Sequence, residues 1–159
     1  MRHLISMLLQ NEAGALARVA GLFASRGYNI ESLTVAATHD AEVSRLTLVI
    51  FGDDVVVDQI IKQSAKLVDI IEIAELTRRE HVERELFVAR VEASPASIDV
   101  CLAQFAGRLL QREGTQSLVE YTGRADEIDA FAAGLRIAGS IIDYARSGIA
   151  AIERPLALA

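Results

Sequence analysis

Met7-Leu8-Leu9-Gln10-Asn11-Glu12-Ala13-Gly14-Ala15-Leu16 changes its period in mid-run, and that change decides the fold. Upstream, His3, Ile5, Met7 and Leu9 alternate with Leu4, Ser6, Leu8 and Gln10. This is the period of two of a strand, apolar enough to be buried mostly on both faces. Downstream, Leu16, Val19, Ala20 and Phe23 fall at i, i+3, i+4 and i+7, the apolar stripe of a helix. Gly27 follows where a left-handed helix cap is wanted. The run from Tyr28 to Ala37 reads as a second strand, His39-Asp40-Ala41-Glu42 as a polar turn, and Arg45 to Phe51 as a third strand with Leu46, Leu48 and Ile50 on one face. Asp53-Asp54 opens a second helix, where acids suit the helix dipole, with Val57, Ile60, Ile61 and Ser64 as its stripe. Val68 to Ala74 is a fourth strand. The order is βαββαβ, a split βαβ of ferredoxin-like type.

The same order repeats. After a charged segment, Thr77-Arg78-Arg79-Glu80-His81-Val82-Glu83, come a strand at Leu86 to Val91 and a helix carrying Ile98, Leu102, Phe105 and Leu109. A hairpin at about Leu110 to Tyr121, turning at Glu113-Gly114-Thr115, leads to a helix with Ile128, Phe131, Ala132 and Leu135, then to a last strand from Ser140 to Arg146. The first helices of the halves are offset by about 82 residues and the second by about 71, so the second hairpin is shorter by about ten. The expectation is an α+β chain of two ferredoxin-like βαββαβ domains in tandem: 1–76, a linker at 77–83, and 84–159.

Composition narrows the function. The chain has 159 residues, 52% of them hydrophobic, which suits one ordinary domain or two small ones with real cores. No apolar run approaches the roughly 20 residues of a membrane helix, and the N-terminus lacks the pattern of a signal peptide. A cytoplasmic protein without a membrane partner is expected. The net charge is −6, the only lysines are Lys62 and Lys66, and no basic patch for phosphate neutralisation is visible, so no nucleic-acid partner is expected. Cys101 is the single cysteine and reads as a buried apolar thiol. His3, His39 and His81 have no ligand-spaced neighbours and read as structural or solvated, so no metal site is expected. Neither a phosphate loop nor a dinucleotide fingerprint is present, and no catalytic residues are assigned.

The loop between the first strand and first helix has more to offer. Unpaired N–H groups at a helix start carry partial positive charge and suit a carboxylate. Gly14 removes the Cβ that would bar close approach, and Asn11 offers a donor and an acceptor. Local chemistry leaves two readings open here, an anion-binding turn or an ordinary one shaped by Asn and Gly. Asn29 divides likewise between a turn residue at a strand start and a ligand contact.

Longer runs bear on the choice. Asn11 to Val19, Gly21-Leu22-Phe23, and Arg26-Gly27-Tyr28-Asn29-Ile30-Glu31-Ser32-Leu33-Thr34-Val35-Ala36 together resemble an amino-acid-binding ACT domain. More narrowly, they resemble the small regulatory subunits of acetolactate synthase (acetohydroxyacid synthase). Ser44-Arg45, Gln59-Ile60, Lys66-Leu67-Val68-Asp69, Glu120-Tyr121-Thr122-Gly123, Asp129-Ala130-Phe131 and Ala145-Arg146-Ser147-Gly148 also fit. The likeness is dense to about residue 85 and sparser beyond. Two departures are a short segment at Leu110 to Gly123 and a generic tail from Glu153 to Ala159.

The resemblance implies a non-catalytic subunit that activates a thiamine-diphosphate-dependent catalytic large subunit and confers feedback inhibition by a branched-chain amino acid, usually valine. Thiamine diphosphate, magnesium and FAD would belong to that large subunit and none to this chain. It also implies a homodimer with the effector at the interface. Asn11 and the N–H groups around Ala13, Gly14 and Ala15 would hold the effector carboxylate. Asn29 of the other chain, with Ile30 nearby, would meet its polar end. Leu9, Leu16, Val35 and Ala36 would wall in its side chain. One methylene is worth only about 1–3 kcal/mol in an apolar pocket, which leaves valine, isoleucine and leucine all open. The alternatives are a stand-alone ACT amino-acid sensor or transcriptional co-regulator and, from the enzyme class, a small acylphosphatase-like protein. The latter's phosphate-cradling Arg and Asn are missing from Gln10-Asn11-Glu12-Ala13-Gly14.

Overall fold

The structure is a computed structural model and describes residues 1–155; the last four residues of the generic tail lie outside the described residues. Twelve elements follow the expected order: β1 (Arg2–Gln10), α1 (Ala15–Ser25), β2 (Ile30–Ala37), β3 (Val43–Phe51), α2 (Asp54–Ser64), β4 (Ile70–Glu75), β5 (His81–Glu92), α3 (Pro95–Phe105), β6 (Arg108–Glu113), β7 (Gln116–Gly123), α4 (Ala125–Ala138) and β8 (Ser140–Glu153). They build two four-stranded sheets, ordered β2-β3-β1-β4 and β6-β7-β5-β8. Both are βαββαβ units, as the periodicity predicts.

Two compact units result. One holds Met1–Val82 together with the described residues from Ile149 to Pro155; the other is Glu83–Gly148. Two boundaries differ from the sequence expectation. The charged segment is a turn only as far as residue 80, because β5 begins at His81. β8 runs on past Arg146 to Glu153, and its end groups with the N-terminal unit. There the Ile149 N–H donates to Ser32 Oγ at 3.2 Å, and Ile149 and Ala151 are buried.

In the first unit, β1 pairs antiparallel with β3 along its whole length and with β4 on its other side. Strand parity sends Ile5, Met7 and Leu9 toward the helices, where they pack with Val19, Phe23, Leu46, Leu48, Ile50, Val57 and Ile60. The buried residues of α1 are Ala15, Val19 and Phe23, so its inner stripe is rotated from the one expected: Leu16 is 40% exposed. Gly27 has φ +76°, the left-handed cap its position called for. β4 starts two residues later than expected because Val68, 82% exposed, belongs to the turn before it.

The second unit centres on Phe131, whose ring meets Phe87 at 5.9 Å, Phe105 at 5.6 Å and Tyr121 at 5.0 Å. Leu109 does not extend the α3 stripe. Ala106, at φ 56°, ends the helix, and Leu109 pairs with Val119 in the sheet. The second hairpin is shorter both in its turn, residues 114–115 against 38–42, and in its strands, 6 and 8 residues in β6 and β7 against 8 and 9 in β2 and β3.

Candidate functional site

Three of the four helices among the described residues have a side-chain acceptor at their start. Asp53 accepts from Val55 N at 2.9 Å, Ser94 from Ser97 N at 3.2 Å, and Glu127 accepts from Arg124 N at 2.7 Å. Such caps satisfy the unpaired N–H groups of a first turn. α1 has none. Its cap position is Gly14 at φ 89°, no side chain accepts a hydrogen bond there, and its first turn carries no acid. The start of α1 therefore keeps its positive end open to solvent. Its sequence signal was legible, since glycine stands where Ser, Thr, Asp or Asn would ordinarily sit.

The loop leading to that helix is held from two sides. The Asn11 N–H donates to the Glu42 carbonyl at 2.7 Å, and Asn11 Nδ2 donates to the Ala41 carbonyl at 2.9 Å, tying the loop to the β2–β3 turn. Gln10 N donates to the Asp69 carbonyl at 2.8 Å, tying it to the approach of β4. The Asn11 amide thus spends one of its two N–H donors inside the chain and keeps the other, along with its acceptor oxygen. Asn11, Ala13 and Gly14 are exposed, whereas Ala15 is 3% exposed and its N–H donates to the Glu12 carbonyl at 3.3 Å.

Arg18 and Asp69 were not singled out from the sequence as site residues. Arg18 Nε and Nη2 donate to the two Asp69 carboxylate oxygens at 2.6 and 2.7 Å. The Arg18 guanidinium holds the Asp69 carboxyl below the usual carboxylate range, chiefly through these hydrogen bonds. Both residues lie inside the family-like runs, but they are 51 positions apart, and no local pattern pairs them.

The remaining residues fall into separate places. Leu9 is a core residue, 1% exposed, on the helix side of β1. Val35 pairs with Leu46 and shares that side, at 39% exposure. Ala36 pairs with Arg45 and so faces the opposite side of the sheet. Val35 and Ala36 therefore cannot line one pocket on the same face. Asn29 and Ile30 stand at the other end of β2: Ile30 pairs with Ile50, whereas Ala37, near the loop, pairs with Ser44. At about 3.3 Å per residue, Asn29 lies roughly 25 Å along the strand from the loop end. One chain does not bring Asn29 and Gly14 together.

Other candidates resolve into structure. His3 is buried, with Nδ1 2.7 Å from Glu75 Oε1 and Nε2 3.3 Å from the Gly52 carbonyl. Cys101 is buried, and desolvation pushes its thiol up. Asp129 and Glu85 hold Arg146, with Asp129 at 2.8 Å from Nη1. Among the described residues no group of three or more His, Cys, Asp or Glu could hold a metal ion, and no helix is long and apolar enough to cross a membrane.

Comparison with known proteins assigns both units to a family. Residues 5–72 match the AHAS small subunit-like ACT domain, so the N-terminal unit, with its open glycine-started helix, is an ACT domain. Residues 84–155 match the family described as small subunit of acetolactate synthase. The chain is 44% identical to the acetolactate synthase isozyme 3 small subunit of Salmonella typhimurium over 157 residues, 97% of this chain and 96% of that one. It is 43% identical to a probable acetolactate synthase small subunit of Archaeoglobus fulgidus, covering 97% and 98%. The crystal structure of the acetolactate synthase small subunit from Thermotoga maritima superposes with a TM-score of 0.86 at 33% identity, covering 97% of this chain and 98% of that one. The chain belongs to the acetolactate synthase small-subunit family, the non-catalytic regulatory subunits of a branched-chain amino acid biosynthetic enzyme.

Proposed function

We propose that this chain binds a catalytic large subunit, raises its activity in condensing pyruvate to acetolactate or, with 2-oxobutyrate, to acetohydroxybutyrate, and makes it sensitive to valine or another branched-chain amino acid. Thiamine diphosphate, magnesium and FAD belong on the large subunit in this reading, and the small subunit works as a cytoplasmic homodimer. The effector sits where the α1 loop of one copy meets the β2 start of another. Asn11 and the N–H groups of Ala13 and Gly14 take its carboxylate, beside the Ala15 N–H that the Glu12 carbonyl already engages. Asn29 of the second copy with Ile30 takes its polar end, and Leu16 and Val35 with Leu9 behind them border the side chain.

The observation that carries this reading is the separation of Asn29 and Gly14 along β2. β2 is an edge strand, and Leu33 and Val35 on it are 37% and 39% exposed. Edge strands offer unpaired N–H and C=O groups to a second chain. Antiparallel pairing of two β2 strands about a two-fold axis near Leu33 and Thr34 exchanges strand ends. It thereby carries the Asn29 of one copy to the loop end of the other.

Inhibition then requires the effector to bind the inhibited arrangement of the complex more tightly than the active one. The test is acetolactate formation by the cognate catalytic subunit, with and without this chain, across a valine titration. Wild type should raise the rate and confer inhibition. Gly14→Asp, which puts a side chain and an anion into the loop, should keep the fold and lose the inhibition. Retained valine inhibition in that variant would exclude the loop.

A further inference from the structure

Asp69 holds both ends of the effector loop. Its backbone carbonyl accepts from Gln10, the last residue of β1, and its carboxylate grips Arg18 in the first turns of α1. The two members of the pair lie in different environments: Asp69 is 2% exposed, Arg18 48%. A carboxylate in that position fixes a guanidinium by two parallel hydrogen bonds, which sets its direction as well as its distance. Arg18 commits Nε and Nη2 to this contact. Its third nitrogen, Nη1, makes no hydrogen bond among the described residues and lies 2.9 Å from the position a Cβ on Gly14 would occupy. The pair is thus a dipole with its negative end buried under the loop and its positive end laid against Gly14.

We infer that Arg18, aimed by the buried Asp69 carboxylate, is a positioning residue of the effector loop and presents a positive charge at Gly14 that favours an anionic carboxylate there. This rests on the effector site proposed above and adds to it a side chain and a source of electrostatic selectivity. The uncapped N–H groups of α1 supply partial charges, and Arg18 adds the positive end of its ion pair with Asp69 at the same place, with Glu12 as a further acid near it. It also gives the route by which Gly14→Asp is expected to act. The new carboxylate would arise at the Nη1 side of the guanidinium, draw it off Asp69, and occupy the anion's place with an anion of the protein's own.

The test is valine affinity of the full-length chain by calorimetry, for Arg18→Met, Arg18→Lys and Asp69→Asn, with circular dichroism and melting to check the fold. Arg18→Met keeps much of the stem and removes the charge, and should weaken valine binding about tenfold or more. Arg18→Lys keeps the charge but cannot make the bidentate contact, and should stay within about threefold of wild type. Asp69→Asn releases the guanidinium and should fall between them. Equal losses for Arg18→Lys and Arg18→Met would overturn the inference, because a purely structural clamp is not rescued by lysine. Affinity within twofold of wild type in Arg18→Met would overturn it as well. Should Arg18→Met not fold, Arg18→Lys weakened by tenfold or more would overturn it, and near-normal affinity there with a loss in Asp69→Asn would support it. Gly14→Asp separates the two levels: normal valine binding in that variant removes the site itself, whereas lost binding there with normal binding in Arg18→Met removes only the role of Arg18.

Discussion

Asp69 shows how one side chain can tie stability to pH. Its folded pKa lies below the ordinary aspartate value of about 3.9 because Arg18 donates to both oxygens. A depressed folded value means that the carboxylate's contribution to stability is complete above the unfolded pKa and is lost as pH falls toward the folded one. Urea unfolding of wild type and Asp69→Asn between pH 7 and pH 3 should therefore show a gap that is steady near neutrality and narrows below about pH 4. A gap that stays constant down to pH 3 would mean the ion pair contributes nothing to that dependence. Arg18 would remain charged throughout, so the acid limb belongs to the carboxylate.

At the scale of elements, the second unit depends on α4 lying on its sheet. Ile128, Phe131, Ala132 and Leu135 all reach the core, and Phe131 is the ring on which Phe87, Phe105 and Tyr121 converge. Asp129-Ala130-Phe131 fits the family pattern, yet Phe131 is fully buried and is not a surface contact. Phe131→Ala should cost about 3–5 kcal/mol, the usual range for emptying an aromatic site in a packed core. A urea midpoint within error of wild type would contradict this packing. The α1 stripe teaches the opposite lesson about periodicity. Leu16 and Ala15 are neighbours that could each face inward, and only docking on β1 and β3 decided that Ala15 is buried and Leu16 half open.

The whole molecule raises the question of completeness. If each effector site takes its loop from one copy and Asn29 from another, a homodimer has two sites, each built from both chains. Gly14→Asp and Asn29→His should each desensitise the enzyme alone. In a mixed dimer of the two variants, one site carries both lesions and the other carries neither. Co-expressed variants should therefore regain valine binding at about one site per mixed dimer, read by calorimetry on the doubly tagged species. No recovery in the mixed dimer would mean that loop and Asn29 act within one chain or not together at all.

The two-fold repeat of βαββαβ was legible in the residues because strand and helix periods are local properties, set by which faces of a short segment are apolar. The loop from Asn11 to Leu16 was legible for a related reason: a glycine in place of a capping side chain marks a helix start left open. The resemblance carried by Gly27 to Leu33 supplied the link to Asn29. Tertiary structure alone decided the rest. The pairing of Arg18 with Asp69 joins positions far apart in the chain, and nothing in either neighbourhood encodes it. The division of Val35 from Ala36 between two faces follows from β2 being seated on β3 in one register. The placing of Asn29 and Gly14 at opposite ends of an edge strand depends on sheet order, which arises from long-range packing. Local sequence chose the parts of the site; only the folded sheet sets how far apart they stand.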